Sequence, residues 1–129
     1  MTIHDKAESF RSLHTNGPLV LPNAWDVATA LLVAEAGASA VATTSAGVAW
    51  SLGTADGGHL DRDLAVDAIA RIAAAVEQPV TADIEHGYAE TPDGVAATVR
   101  LVLEAGAVGI NVEDSVGHLP RHGRVDRLR

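Results

Sequence analysis

The sequence contains no cysteine. That excludes disulfide staples and thiol chemistry, because there is neither a sulfur nucleophile nor a thiolate ligand. Aromatic residues make up only 3% of the chain, as two Trp, one Tyr and one Phe, too few for the stacking platforms that hold single-stranded nucleic acid. Basic residues are scarce as well: 9 Lys+Arg stand against 17 Asp+Glu, a formal net charge of −8. Phosphate backbones and anionic membrane surfaces require the opposite sign, so neither is an expected partner. Hydrophobic residues reach 47% but are largely Ala and Val interrupted by charge, and no run approaches the roughly 20 residues of a membrane span. Met1-Thr2-Ile3-His4-Asp5-Lys6 lacks the basic-then-apolar pattern of a secretory signal. What remains is 129 residues, enough for one domain with a sizeable core and an expected cytoplasmic location.

The charge is unevenly spread. Residues 1–115 carry 5 Lys+Arg against 16 Asp+Glu, a net of −11, whereas Arg121, Arg124, Arg127 and Arg129 against Asp126 give residues 116–129 a net of +3. The expected organisation is an acidic body over 1–115 and a basic, poorly ordered tail over 116–129.

Within the body, short apolar runs alternate with Ala-rich amphipathic stretches. Asp5 to His14 reads as a helix, with Ala7, Phe10 and Leu13 at helical spacing. Strands are expected at Pro18–Pro22, Ser39–Thr43, Gln78–Ile84 and Val108–Val112, each an apolar run of the kind a covered parallel sheet needs. Between them lie helical stretches from Ala24 to Ala36, from Asp61 with Leu64, Ile69, Ile72 and Val76 inward, and from Thr91-Pro92 with Val95, Val99, Val102 and Leu103 inward. Thr91 is a natural cap with Pro92 at the first helical position. Thr44 to Leu60, punctuated by Gly47, Gly53, Gly57 and Gly58, reads as a long loop of the kind that is usually functional. The class is α/β with a parallel sheet. No Gly-x-Gly-x-x-Gly follows the first strand, which favours a (β/α)-barrel arrangement over a dinucleotide fold.

In such folds chemistry sits beyond the carboxyl ends of the strands. Those ends hold Asn23 and Asp26, then Thr43-Thr44-Ser45, then Asp83 and Glu85, then Asn111, Glu113 and Asp114. Hard oxygen donors completed by water suit Mg²⁺. The absence of Cys and of a His cluster points away from zinc. Each acid has a plainer reading too: Asp26 as a helix cap, Asp56 as a turn residue, Asp83 and Glu85 as solvated strand-end residues. His86 has the chemistry of a general acid or base, or of an ordinary loop histidine. Trp25, Trp50 and Tyr88 read mainly as packing residues, Trp50 and Tyr88 also as walls for a pocket.

Four segments then carry a resemblance: Leu21-Pro-Asn-Ala-Trp-Asp26; Ala42-Thr-Thr-Ser-Ala-Gly-Val-Ala49 with Ser51-Leu-Gly-Thr-Ala-Asp56; Ala82-Asp-Ile-Glu-His-Gly-Tyr88; and Gly109-Ile-Asn-Val-Glu-Asp-Ser115. In this order they resemble the isocitrate lyase/phosphoenolpyruvate mutase superfamily, its Pro-Asn-Ala-Trp-Asp subgroup above all. The resemblance implies about the first four strands of a (β/α)8 TIM-like barrel that binds Mg²⁺, or Mn²⁺, and a small α-keto acid or enolate. It implies lyase or phosphonomutase chemistry, making or breaking a C–C or P–C bond beside a carbonyl. By the same resemblance Asp83, Glu85 and Glu113 are metal residues, Asp56 and Glu113 are catalytic, and Thr43, Thr44, Ser45 and Asp83 bind substrate.

The departures are equally specific. Lyase members use a Cys within a Lys-Lys-Cys-Gly loop, and this chain has no Cys and a single Lys, Lys6. Relatives often have Ser-Gly-Gly where Thr44-Ser45-Ala46 stands. Strands five to eight have no counterpart, and residues 116–129 do not look like the family's continuation. A non-catalytic remnant and a small-anion-binding α/β module are the alternative readings. A half barrel would leave two open strand edges, so a homo-oligomer is expected.

Overall fold

A computed structural model describes residues 1–15 and 17–114; the basic segment 116–129 lies outside the described residues. Helix α1 spans Ile3–Leu13 and starts at Thr2, whose hydroxyl accepts from the Asp5 amide while the Asp5 carboxylate accepts from the Thr2 amide. That reciprocal box satisfies two of the orphan donors every helix start exposes. Strand β1 is Asn23–Ala24, α2 is Val27–Glu35 and β2 is Val41–Thr43. They are followed by α3 at Ser45–Ser51, α4 at Arg62–Ala75, β3 at Val80–Asp83, α5 at Pro92–Glu104 and β4 at Gly109–Asn111.

All strand pairs are parallel, in the order β1-β2-β3-β4. With the strands in sequential order, α2 packs against α4 and α4 against α5, the layer of helices that like-handed crossovers build on one face of a parallel sheet. Burial follows that arrangement. Ala24, Ala30, Val41, Ile72, Val76 and Val80 form one cluster between β1–β3 and α2/α4, and Ile69, Ala82, Ile84, Val102 and Ala107 form a second between β3 and α4/α5. Phe10 of α1 reaches β3 and β4, where Gly109 leaves it room: a Cβ at Gly109 would lie 2.6 Å from the Phe10 ring and 2.9 Å from Thr81 Oγ1. Among the described residues no helix is long and apolar enough to cross a membrane.

Three expectations are corrected. The first strand lies at Asn23–Ala24 and not at Pro18–Pro22: Pro18 and Pro22 have no amide proton to give the ladder, Val20 is 76% exposed, and pairing begins where the Ala42 amide donates to the Pro22 carbonyl. The stretch from Thr44 to Leu60 is not all loop, since α3 occupies Ser45–Ser51 and buries Val48 and Ala49. Leu64 and Leu103, expected inward, are about half exposed, and the inward places on their helices go to Ala65, Ala73 and Thr98. Small residues there let the helices lie close to the sheet.

Asp26 caps α2. Its carboxylate accepts from the Thr29 amide at 2.7 Å, and the Thr29 hydroxyl accepts from the Asp26 amide at 3.1 Å. The Thr29 amide first, and then the Thr29 hydroxyl donating to Asp26 Oδ1 at 2.8 Å, hold the Asp26 carboxyl below its ordinary range. Asp61 and Thr91 cap α4 and α5 as expected.

Candidate active site at the strand ends

Strand β3 delivers Asp83 at its carboxyl end, and the chain immediately turns. Glu85, Gly87 and Tyr88 all have positive φ, at 50°, 85° and 52°. Left-handed backbone in residues that carry a Cβ costs energy and gathers where a site needs side chains aimed in particular directions.

The turn fixes two carboxylates. Asp83 Oδ2 accepts from the Ser45 amide and Oδ1 from the Glu85 amide, both at 3.1 Å. The Asp83 amide donates to Thr43 Oγ1 at 2.9 Å. Asp83 is therefore held from β2, from the start of α3 and from its own turn. Glu85 is only 5% exposed. Burial pushes its carboxyl above the ordinary range; the charges of Asp56 and Asp83 add to this, while the Gly58 amide and the Tyr88 hydroxyl work against it. The Tyr88 hydroxyl donates to Glu85 Oε1 at a long 3.5 Å, and burial first, then the charge of Glu85, push the Tyr88 phenol upward. His86 Nδ1 lies 4.0 Å from Glu85 Oε2.

The residues singled out from sequence are thus distributed unequally. Thr43, Ser45, Asp83 and Glu85 are joined by direct bonds. Exposed Asp56 acts on Glu85 through its charge. Thr44 is the N-cap position of α3. Glu113 is exposed just past β4, and its amide donates to the Glu85 carbonyl at 2.6 Å. Two contributors escaped the sequence reading. Gly58 supplies an amide to Glu85 from the glycine-rich loop, and Tyr88 supplies a hydroxyl as well as packing. The loop glycines were the available signal for the first, and the one Tyr of the chain for the second. A cavity of about 330 Å³ adjoins this turn, lined by Gly58, Arg62, Asp63, His86 and Tyr88 among others.

Buried Glu85 and the nearby charges of Asp83 and Asp56 gather acidic groups at the strand ends. Among the described residues no three His, Cys, Asp or Glu side chains form a ready-made ligand cluster. The oxygen donors fit an ion that takes one or two carboxylates and completes its shell with water and substrate, as Mg²⁺ does.

The phosphoenolpyruvate phosphomutase family model matches residues 10–128. The chain belongs to this family. The match takes in most of the basic segment that was expected to fall outside it. Among curated relatives, the 2-methylisocitrate lyase of Escherichia coli K12 is 32% identical, with alignment to all of this chain and 48% of the relative. A crystal structure from Burkholderia cenocepacia J2315, of a protein named for lyase/mutase chemistry, superposes with a TM-score of 0.88 and 46% identity over 97% of this chain and 46% of that one. Oxaloacetate acetylhydrolase in complex with its product oxalate gives 0.78 and 29% identity over 86% of this chain and 40% of that one. The chain spans less than half the length of the curated relatives it matches. Its open four-stranded sheet corresponds to the N-terminal part of the (β/α) barrel in its structural neighbours. Family members so named include both lyases and mutases.

Proposed function

We propose that the strand-end mouth binds Mg²⁺, with Mn²⁺ as the alternative ion, together with a small α-keto acid or its enolate, in the service of C–C or P–C bond chemistry. The observation that carries this reading is Asp83: a carboxylate held by two backbone amides beside the buried acid Glu85, with Asp56 adding to the negative field. Asp83 and Glu85 would hold the ion, and Glu113 would reach it through water. When bound, a divalent cation supplies Lewis-acid stabilisation of charge developing on an enolate oxygen.

The chain's own residues do the rest. Ser45 and Thr43 fix Asp83, so the donor geometry is set before substrate arrives. Thr44 and Ser45, on the β2 end, lie where a substrate carboxylate would be gripped. Asp56, whose charge bears on Glu85 from the loop, and Glu113 would be the acids that exchange protons with the substrate. With no Cys, the thiol-dependent branch of the family's chemistry is not open to these residues.

Calorimetric titration of Mg²⁺ with and without oxalate, an enolate mimic, tests the reading. Tight metal binding that appears only with oxalate is the expected result. Metal binding indifferent to oxalate would overturn it.

Self-association belongs to the same proposal. Among the described residues β1 pairs only with β2 and β4 only with β3, and unpaired strand edges are of the kind that recruit another chain. Sedimentation of the 129-residue chain should show a dimer or larger species at micromolar concentration. A well-folded monomer under those conditions would rule the pairing out.

A further inference from the structure

A second cavity of different character lies at the ends of β1 and β2. It has a volume of about 520 Å³ and is lined by Asn23, Trp25, Thr44, Gly47, Trp50 and Ser51 with Ala46. No charged side chain lines it, in a chain whose described part is strongly acidic. Both tryptophans of the sequence stand on its wall, and both face solvent: Trp25 is 41% exposed and Trp50 67%. Large indoles are usually highly buried, so two of them exposed around one cavity form a prepared apolar surface.

The surface is built rather than incidental. A Cβ at Gly47 would lie 2.7 Å from Thr44 Cγ2 and 2.9 Å from Trp25 Cβ. Only glycine lets α3 settle this closely onto the end of β1, and that contact brings Trp25 and Trp50 to the lining of one cavity. Thr44 on its wall is the chain neighbour of Ser45, whose amide holds Asp83. A small acid gripped at Thr44 and Ser45 would therefore have an uncharged wall beside it along which to extend.

We propose that this cavity is a subsite for an apolar substituent of the keto-acid substrate, with Trp50 and Trp25 as its specificity-determining walls. The inference rests on the reading of the mouth as a keto-acid site and names the substrate class within it: 2-oxo acids bearing an alkyl chain, in preference to those ending in a second carboxylate. Its volume lies within the range of small-molecule sites and accommodates a chain of several carbons. An ionised distal group would lose its water and find no counter-charge.

The test uses the 129-residue chain with Mg²⁺ and a series of straight-chain 2-oxo acids from pyruvate to 2-oxohexanoate, with oxalate as the unsubstituted probe. Calorimetry measures affinity, and intrinsic fluorescence reports directly on the cavity because it comes from its two tryptophans. Affinity is expected to rise about fourfold for each methylene buried, with a fluorescence change that grows along the series. In Trp50→Ala, checked for folding by far-ultraviolet circular dichroism, the increment should fall below about twofold per methylene; Trp50→Phe should restore most of it. Oxalate binding with affinities that do not depend on chain length would overturn the subsite and leave the metal and keto-acid reading standing. Absence of both oxalate and keto-acid binding would overturn the two together. If Trp50→Ala converts a sedimenting dimer to monomer while the chain-length increment persists, the indoles cover a second copy, and the subsite is overturned on that ground.

Discussion

Gly87→Ala is expected to lower the unfolding free energy by about 3 kcal/mol, combining roughly 1–2 kcal/mol for a left-handed residue that carries a Cβ with ~1–3 kcal/mol for overpacking. The residue sits at φ 85°, and a Cβ there would lie 2.8 and 2.9 Å from the two γ-carbons of Val95. Val95 is a buried residue in the first turns of α5, so it cannot swing aside into solvent. The backbone has little freedom either. The Gly87 amide donates to the Ile84 carbonyl at 2.8 Å, and Glu85 and Tyr88 on either side are already left-handed. For a chain of this size the loss corresponds to a melting temperature lower by roughly 10 °C. Gly53→Ala is the matched control: φ is +74°, but nothing lies within 4 Å of the added carbon, so only the conformational cost of ~1–2 kcal/mol applies. Urea unfolding of the two variants separates the effects. Equal losses would show that the Val95 contact costs nothing. The consequence for the site is direct, because the same turn aims Asp83, Glu85 and Tyr88.

The turn also marks where the sequence stopped being informative. The alternation of apolar runs with capped Ala-rich stretches was legible because parallel strands and amphipathic helices leave periodic traces, and Asp61 and Thr91-Pro92 announced their helices by local chemistry. The open edges of the sheet followed from the same count of strands. Pro18–Pro22 misled because an apolar run shows burial potential without showing whether its amides can join a ladder. Helix α3 was hidden because Gly47 and the serines around it read as loop residues; glycine is there for its contact with Trp25 and Thr44, not for freedom of the chain. Leu64 fits the helical period of α4 as well as Ala65 does, and only the closeness of the packed helices decides that the smaller residue goes inward. At the site, the residue types along β3 and its turn were readable, but their coupling was not. That Asp83 is held by Ser45, or that Gly58 reaches Glu85, depends on distances between segments about 40 and 27 residues apart in the chain, which no local pattern encodes.

Glu85→Gln should separate folding from function by moving them in opposite directions. Glu85 is buried, and both its burial and the charges of Asp56 and Asp83 disfavour its ionised form. Its folded pKa lies above its ordinary 4.5, so the folded state binds more protons than the unfolded one between those two values. In the metal-free chain this carboxyl therefore costs stability above its raised folded pKa, and the cost is relieved as pH falls through that value toward 4.5. Glutamine keeps an acceptor for the Tyr88 hydroxyl and the Gly58 amide and removes the charge. Without metal at neutral pH the variant should be more stable by about 1 kcal/mol, the scale of one buried polar mismatch, and should lack the loss of stability with rising pH that Glu85 causes. With Mg²⁺ and oxalate the order reverses. Loss of one carboxylate from the donor set should weaken the metal by on the order of 10–100-fold, so thermal stabilisation by added Mg²⁺ shrinks in the variant while wild type gains. Melting curves of the two proteins across pH, with and without Mg²⁺ and oxalate, give all four quantities. A variant that is destabilised without metal would mean that Glu85 serves the fold, and a variant with wild-type metal affinity would remove it from the donor set. Stabilisation without metal combined with weakened binding is the outcome that makes the strain around Glu85 a cost of holding an ion.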